Sequence, residues 1–236
     1  CELQVGGSDQ WGNIVLGADL IRRKLGKTAH AMTWPLLTKP DGSKYGKTAG
    51  GETIWLSAAK MSPYRFYQSW IGVDDSEVRK LLLQLTFLSV QEVDSLVAEH
   101  EDQPHLRIGQ RALANEITKI VHGEPAADSA IEASQVLFDS TMDISAVSES
   151  ALDFVSREVP YSEIALADVS LVDLLVETGL CQSRKEAKRA VTEGGVYVNG
   201  ERPSDSGFAP TSNDLLHGKY LLLRRGKKSW HLLKAT

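Results

Sequence analysis

Cys1-Glu2-Leu3-Gln4-Val5-Gly6-Gly7-Ser8-Asp9-Gln10-Trp11-Gly12-Asn13-Ile14 is the stretch that decides the fold of the first part of the chain. Cys1 to Val5 reads as a short buried strand, Gly6-Gly7-Ser8-Asp9 breaks it, and apolar residues then recur at Ile14, Ala18, Ile21 and Leu25. Those spacings lie along one face of a helix, and Gly26 predicts its end. Strand, glycine turn and helix make half of a βαβ unit. A second strand-like run, His30 to Leu37, follows.

Two constellations here carry chemistry. At a strand-to-helix turn, glycine lets a ligand approach the backbone, and the amides and dipole of the first helical turn favour an anion or hydroxyl. Gly7, Asp9 and Gln10 stand at such a point, Asp9 able to accept from a ribose and Gln10 able to hold a carboxylate without added charge. A plain helix cap at Ser8 or Asp9 is the competing reading. The second constellation is the exposed loop Lys39-Pro40-Asp41-Gly42-Ser43-Lys44-Tyr45-Gly46-Lys47-Thr48. Glycine hinges, the ammonium groups of Lys44 and Lys47 and the Thr48 hydroxyl suit closure over a polyphosphate, against a solvated basic turn.

Beyond the loop the pattern turns helical. Ser62-Pro63 opens a helix, Asp74 to Leu85 continues, and Ser89 with Glu92 forms a capping box. Leu106 to Val121, closed by Gly123, and Pro125 to Phe138 add two more helices. From Asp139 to Asp168 the periodicity weakens, as in a linker with some helix. A compact unit then begins with Leu171, Leu174 and Leu175. A second expected capping box, Ser183 with Glu186, precedes the turn Gly194-Gly195, the strand Val196 to Val198 and a hairpin over Tyr220 to Leu233. The expected organisation is 1–60 α/β, 61–140 helical, 141–168 linker and 169–236 small α+β. Trp34, Trp55 and Trp70 have apolar neighbours and are expected in cores; Trp11 is expected to pack beneath the glycine turn.

The whole sequence has 236 residues, 42% of them apolar, and a net charge of −5. No window approaches the roughly 18 apolar residues of a membrane span, and residues 1–25 lack signal-peptide order, so a cytoplasmic protein without membrane contact is expected. Two cysteines, Cys1 and Cys181, exclude a disulfide framework. Residues 1–160 hold 15 basic and 22 acidic side chains, residues 161–236 hold 11 and 9, which makes the tail the better polyanion binder. Within it Arg184, Lys185, Lys188 and Arg189 share a helix face suited to a phosphate backbone, with a solvated face as the bland alternative. Arg224, Arg225, Lys227 and Lys228 form a second patch, and Trp230 is the tryptophan to test for nucleic-acid contact.

Gly6-Gly7-Ser8-Asp9-Gln10-Trp11-Gly12-Asn13-Ile14 together with Lys44-Tyr45-Gly46-Lys47-Thr48 resembles the bacterial tyrosyl-tRNA synthetase family, the second motif being similar to the class I lysine signature written KMSKS. Thr53-Ile54-Trp55-Leu56 and Ser62-Pro63-Tyr64 extend the resemblance. The segment from Leu174 onward resembles the RNA-binding domain named after the fourth protein of the small ribosomal subunit, which that family carries at its C-terminus. The resemblance implies an incomplete Rossmann-like half, a helical anticodon-arm domain and a small RNA-binding domain. It implies ATP-dependent activation of tyrosine and transfer to tRNA(Tyr), with Lys44, Lys47 and Thr48 on the departing pyrophosphate. Gly7, Asp9, Gly46 and Lys47 would contact ATP or the adenylate, and Gln10 and Gln4 the tyrosine. ATP enters as substrate with Mg2+ implied and no prosthetic group; a homodimer is expected.

The family's HIGH-type motif lies upstream of the glycine turn, and no histidine here stands in a His-X-Gly-His pattern. With Cys rather than Met at position 1, the chain is expected to be a fragment inactive in amino acid activation alone. The rivals are a tryptophanyl-tRNA synthetase relative, a non-catalytic RNA-binding protein with a vestigial synthetase half, and a general phosphate-binding domain.

Overall fold

The computed structural model describes residues 1–38, 53–139, 142–165, 169–203 and 205–236. The chain divides into two compact units, Cys1–Ile54 and Trp55–Thr236.

In the first unit β1 (Leu3–Gly7) leads through a 3-10 turn (Ser8–Gln10) into α1 (Trp11–Leu25), which returns the chain to β2 (His30–Trp34). The strands pair in parallel, Leu3 with His30 through Gly7 with Trp34. Gly26 ends α1 at φ 62°, its N–H bonding to the Arg22 carbonyl at 3.0 Å. Side chains alternate across a strand, and α1 covers one face only. Gly6 meets Ile14, the buried residue of α1, and Gln4 lies beside Gly17. Leu3, Val5, Met32 and Trp34 take the other face and stand about half exposed. Among the described residues Trp34 is therefore not core: apolar neighbours along a strand do not bury a side chain on a face that no described element covers. Trp11 is also about half exposed.

The second unit starts with helices α2 (Pro63–Ile71), α3 (Asp75–Leu85), α4 (Val90–Asp102), α5 (Ile108–His122) and α6 (Glu124–Phe138). The Ser62 hydroxyl accepts from the Arg65 N–H at 3.2 Å, with Pro63 at the first helical position where its missing N–H costs nothing. Ser89 and Glu92 form the expected box. Phe66, Leu81, Leu82 and Leu113 are fully buried at the bundle centre, with Trp70 packed edge-on to Phe66. Trp55, by contrast, is exposed, with the Lys60 ammonium 3.9 Å from its ring centre.

The stretch read as a linker, 141–168, carries α7 (Glu149–Glu158) and β3 (Tyr161–Ile164). Ser148 N–H donates to Glu132 and the Ser129 and Ser150 hydroxyls meet at 2.8 Å, fastening α7 to α6. Arg65 pairs with Glu158 at 3.0 Å, fastening it to α2. At the other side the Tyr220 hydroxyl donates to Asp153, and Lys219 pairs with Glu149.

Helices α8 (Leu171–Glu177) and α9 (Arg184–Thr192) precede β4 (Val196–Val198), β5 (Tyr220–Arg225) and β6 (Ser229–Ala235). The sheet order is β3-β6-β5-β4, with β3 parallel to β6 and the other pairs antiparallel. Leu174, Leu175, Ala187, Val191, Val196, Leu221, Leu223 and Leu233 form one core between α8, α9 and a sheet face. Cys181 is buried in it, which pushes its thiol pKa up. Leu222 and Leu232 are buried on the opposite face, which they share with Tyr220 and which α7 covers. Asn199 and Gly200, at φ 49° and 86°, make the tight turn after β4.

Candidate phosphate-binding turn and nucleic-acid interface

The glycine turn is built by close approach. Gly7 has φ −67° and ψ 159°, which any residue adopts. Its constraint is space, since a Cβ would come 2.6 Å from a Leu36 methyl and 3.0 Å from the Asp9 carboxylate. At Gly6 a Cβ would come 3.1 Å from an Ile14 methyl. The turn thus brings Gly7 and Asp9 together at the start of a 15-residue helix. Neither Gly7 nor Gln10, the capping positions of the 3-10 turn and of α1, makes a side-chain cap bond. The first turn of α1 holds no acid and its last holds Arg22, Arg23 and Lys24, so the helix end facing the turn keeps its positive dipole apart from Asp9.

Gln10 Oε1 accepts from Asn13 Nδ2 at 3.1 Å. Gln4 sits beside the second turn of α1, away from the Gly7–Asp9 pair. Lys44, Gly46, Lys47 and Thr48 lie outside the described residues. Among the described residues no group of three or more His, Cys, Asp or Glu is placed to hold a metal ion, and no helix is long and apolar enough to cross a membrane.

In the C-terminal module Arg184, Lys185, Lys188 and Arg189 are all exposed along α9. Arg184 pairs with Asp173 at 2.7 Å and Arg189 with Glu193 at 3.8 Å, whereas Lys185 and Lys188 form no ion pair among the described residues. Ser183 caps α9 by accepting from Glu186 N–H, but the box does not close as expected. The Glu186 carboxylate instead accepts from the Gln182 N–H at 2.8 Å and from Arg225 Nη2 at 2.7 Å. These bonds hold the Glu186 carboxyl below its ordinary pKa, the Gln182 amide contributing most.

The two hairpin arginines differ. Arg225 spends Nη1 on the Leu180 carbonyl at 2.6 Å and Nη2 on Glu186, a tie between β5 and the α8–α9 connection. Arg224 faces the other way, between the rings of Tyr197 and Trp230 at 4.0 and 5.1 Å. Lys227 and Lys228 are exposed at the hairpin tip. Tyr197 and Arg202 were not among the candidates. Their contribution depends on register across β4, β5 and β6, which residue types alone do not reveal.

Residues 1–139, more than half of the chain, match the family model for class I tRNA synthetases (W and Y), and the chain belongs to that family. Residues 152–233 match the model of the tyrosine--tRNA ligase SYY-like C-terminal domain, which takes in most of α7 and β3. The tyrosine--tRNA ligase of Opitutus terrae is 45% identical over 239 residues, covering 99% of this chain and 56% of that protein. That of Staphylococcus saprophyticus is 43% identical over 234 residues, covering 99% and 55%. The chain spans about half the length of the curated relatives it matches. Among solved structures, a C-terminally truncated mitochondrial tyrosyl-tRNA synthetase of Coccidioides posadasii is 31% identical, with a TM-score of 0.46 over 55% of this chain and 38% of that one.

Proposed function

We propose that this chain forms the phosphate-gripping and RNA-binding part of a tyrosine–tRNA ligase. The observation that carries the reading is the 45% identity across 99% of the chain to a relative of that name. The strand-turn-helix with its positive helix end and the exposed α9 cations Lys185 and Lys188, which form no ion pair among the described residues, support it.

In the proposed reaction the tyrosine carboxylate attacks the α-phosphate of ATP in line and pyrophosphate leaves. Negative charge grows on the departing phosphates, so cations meeting it in the transition state lower the barrier. Lys44 and Lys47 are those cations; Thr48 and the Gly46 backbone complete the grip. Gly7 and Asp9 hold the adenylate ribose, Gln10 orients the tyrosine carboxylate, and Gln4 borders the tyrosine pocket. Magnesium arrives with ATP as part of the substrate. The tyrosyl group then passes to tRNA(Tyr), whose stem phosphates lie on the α9 face formed by Arg184, Lys185, Lys188 and Arg189, with Arg224, Lys227 and Lys228 as the hairpin patch and Arg225 tying that hairpin to the α8–α9 connection. A homodimer acting in the cytoplasm completes the reading.

The test is tyrosine-dependent exchange of pyrophosphate into ATP. It is run on this chain alone and on this chain joined to the N-terminal part of the Opitutus terrae relative, with tryptophan as control. Exchange with tyrosine in the joined protein is expected. Exchange with tryptophan instead would point to the sister specificity, and a folded joined protein without exchange would leave RNA binding as the function.

A further inference from the structure

Across the three antiparallel strands of the C-terminal sheet, Tyr197 of β4 stands opposite Arg224 of β5, and Arg224 opposite Trp230 of β6. Side chains in such a row project from one sheet face. The Arg224 guanidinium is sandwiched between the two rings, and Arg202 extends the row, its guanidinium carbon 5.4 Å from the Tyr197 ring centre and its Nη2 donating to the Tyr197 hydroxyl at 3.2 Å. The row shares its face with Leu222 and Leu232 but lies beyond their buried patch: Tyr197, Arg224 and Trp230 are half-buried and Arg202 is exposed.

Among the described residues the charges on this row have no carboxylate partner. Neither Arg202 nor Arg224 forms an ion pair among the described residues, and Arg224 Nε is buried with no hydrogen-bond partner there. The neighbouring Arg225 shows what a structural arginine looks like in this sheet, with a carbonyl and a carboxylate both engaged. Both guanidinium groups also pull the Tyr197 hydroxyl pKa down, the Arg202 hydrogen bond contributing most. Lys227 and Lys228 at the β5–β6 tip add two cations close to Trp230 in sequence. Aromatic rings alternating with unpaired guanidinium groups complement unpaired nucleotides, whose bases stack on rings and guanidinium planes while their phosphates take the free donors. A fully paired stem offers phosphates but no exposed base faces.

We propose that the Arg202–Tyr197–Arg224–Trp230 row is a stacking platform for an unpaired RNA segment, separate from the α9 face across the sheet. It rests on the reading of this module as RNA-binding and divides the labour within it: α9 takes phosphates of paired RNA, and the row takes splayed bases.

The test compares binding of single-stranded oligo(A) and of a blunt RNA duplex to the full chain and its variants. Tyr197→Leu and Trp230→Leu, which keep every cation, should each weaken oligo(A) binding about 5-fold or more and leave duplex binding unchanged. Lys185→Gln with Lys188→Gln should do the reverse, lowering duplex affinity and its salt slope. Unchanged oligo(A) affinity in the leucine variants, or a parent chain that binds duplex but not oligo(A), overturns the platform and leaves the RNA-binding reading standing. A folded chain that binds neither overturns both. Should the leucine variants fail to fold by circular dichroism, tryptophan emission decides. Oligo(A) should quench the parent and not Trp230→Phe, and equal quenching in both, or none in the parent, overturns the proposal.

Discussion

Replacing Gly200 by Ala tests whether the segment before α7 is docked on the C-terminal sheet or merely tethers it. Gly200 has φ 86°, and a Cβ there would come 2.8 Å from Cγ1 of Ile144, itself buried. Two costs are separable. Holding an L-residue in the left-handed region costs roughly 1–2 kcal/mol, and forcing a methyl into a packed contact costs roughly 1–3 kcal/mol more. Gly200→Ala alone should then destabilise by about 2–5 kcal/mol. In an Ile144→Ala background Cγ1 is gone and only the backbone cost of about 1–2 kcal/mol remains. Ile144→Ala carries its own cavity penalty of about 2–5 kcal/mol. The cycle isolates a coupling of about −1 to −3 kcal/mol, read from urea unfolding midpoints of the four proteins. Strict additivity would show that turn and segment do not touch, and the docking would be refuted.

In the joined protein, Lys47→Ala should cost on the order of 3 kcal/mol of activation barrier, lowering turnover in pyrophosphate exchange with tyrosine affinity little changed; an effect confined to affinity would count against the assignment. Tyr64 is buried and faces the charge of Glu158, in that order of importance, which raises its pKa from 10.0 to about 12. Its folded state therefore retains a proton that the unfolded chain gives up above pH 10. The contribution is whole below pH 10 and is lost as pH climbs toward 12, so Tyr64→Phe should flatten that part of the alkaline fall in urea midpoint, and a parallel fall would show the group is not the cause. Arg225→Ala should lower the thermal midpoint through loss of its bonds to Leu180 and Glu186 without changing the salt slope of RNA binding. A changed slope would place Arg225 among the RNA contacts.

The strand-turn-helix was legible because Gly6-Gly7 separates two different apolar periods, and Gly26 and Gly123 mark helix ends by their positive φ, 62° and 86°. What the glycines do was less legible. Spacing suggested room for a ligand, whereas Gly7 also makes room for Leu36, a neighbour brought in by β2. The 141–168 stretch hid its structure for a physical reason. The buried residues of α7 are Ala151, Leu152 and Val155, a narrow stripe on a 10-residue helix, and β3 alternates Tyr-Ser-Glu-Ile over four residues. Such short elements are stabilised by partners far along the chain, and a local window does not contain those partners. The same limit explains Trp34 and Trp55, whose neighbours in sequence are apolar but which stand nearly half exposed among the described residues. It explains Arg224 and Arg225 too: adjacent in sequence, they point to opposite faces of a strand and do different work.

The parallel pairing of β3 with β6 has a consequence for the order in which the module can be made. β6 is the last of this sheet's strands in sequence among the described residues yet sits inside the sheet, with β3 on one side and β5 on the other. During synthesis α7, β3, α8, α9 and β4 all emerge before the strand that joins β3 to the rest. Until then β3 has an unsatisfied edge on the side where β6 will lie, and β5 is paired with β4 alone. The module is therefore closed by its last-made strand rather than built hairpin by hairpin, and a ribosome that stops before Ser229 leaves the C-terminal sheet without the strand that joins β3 to β5.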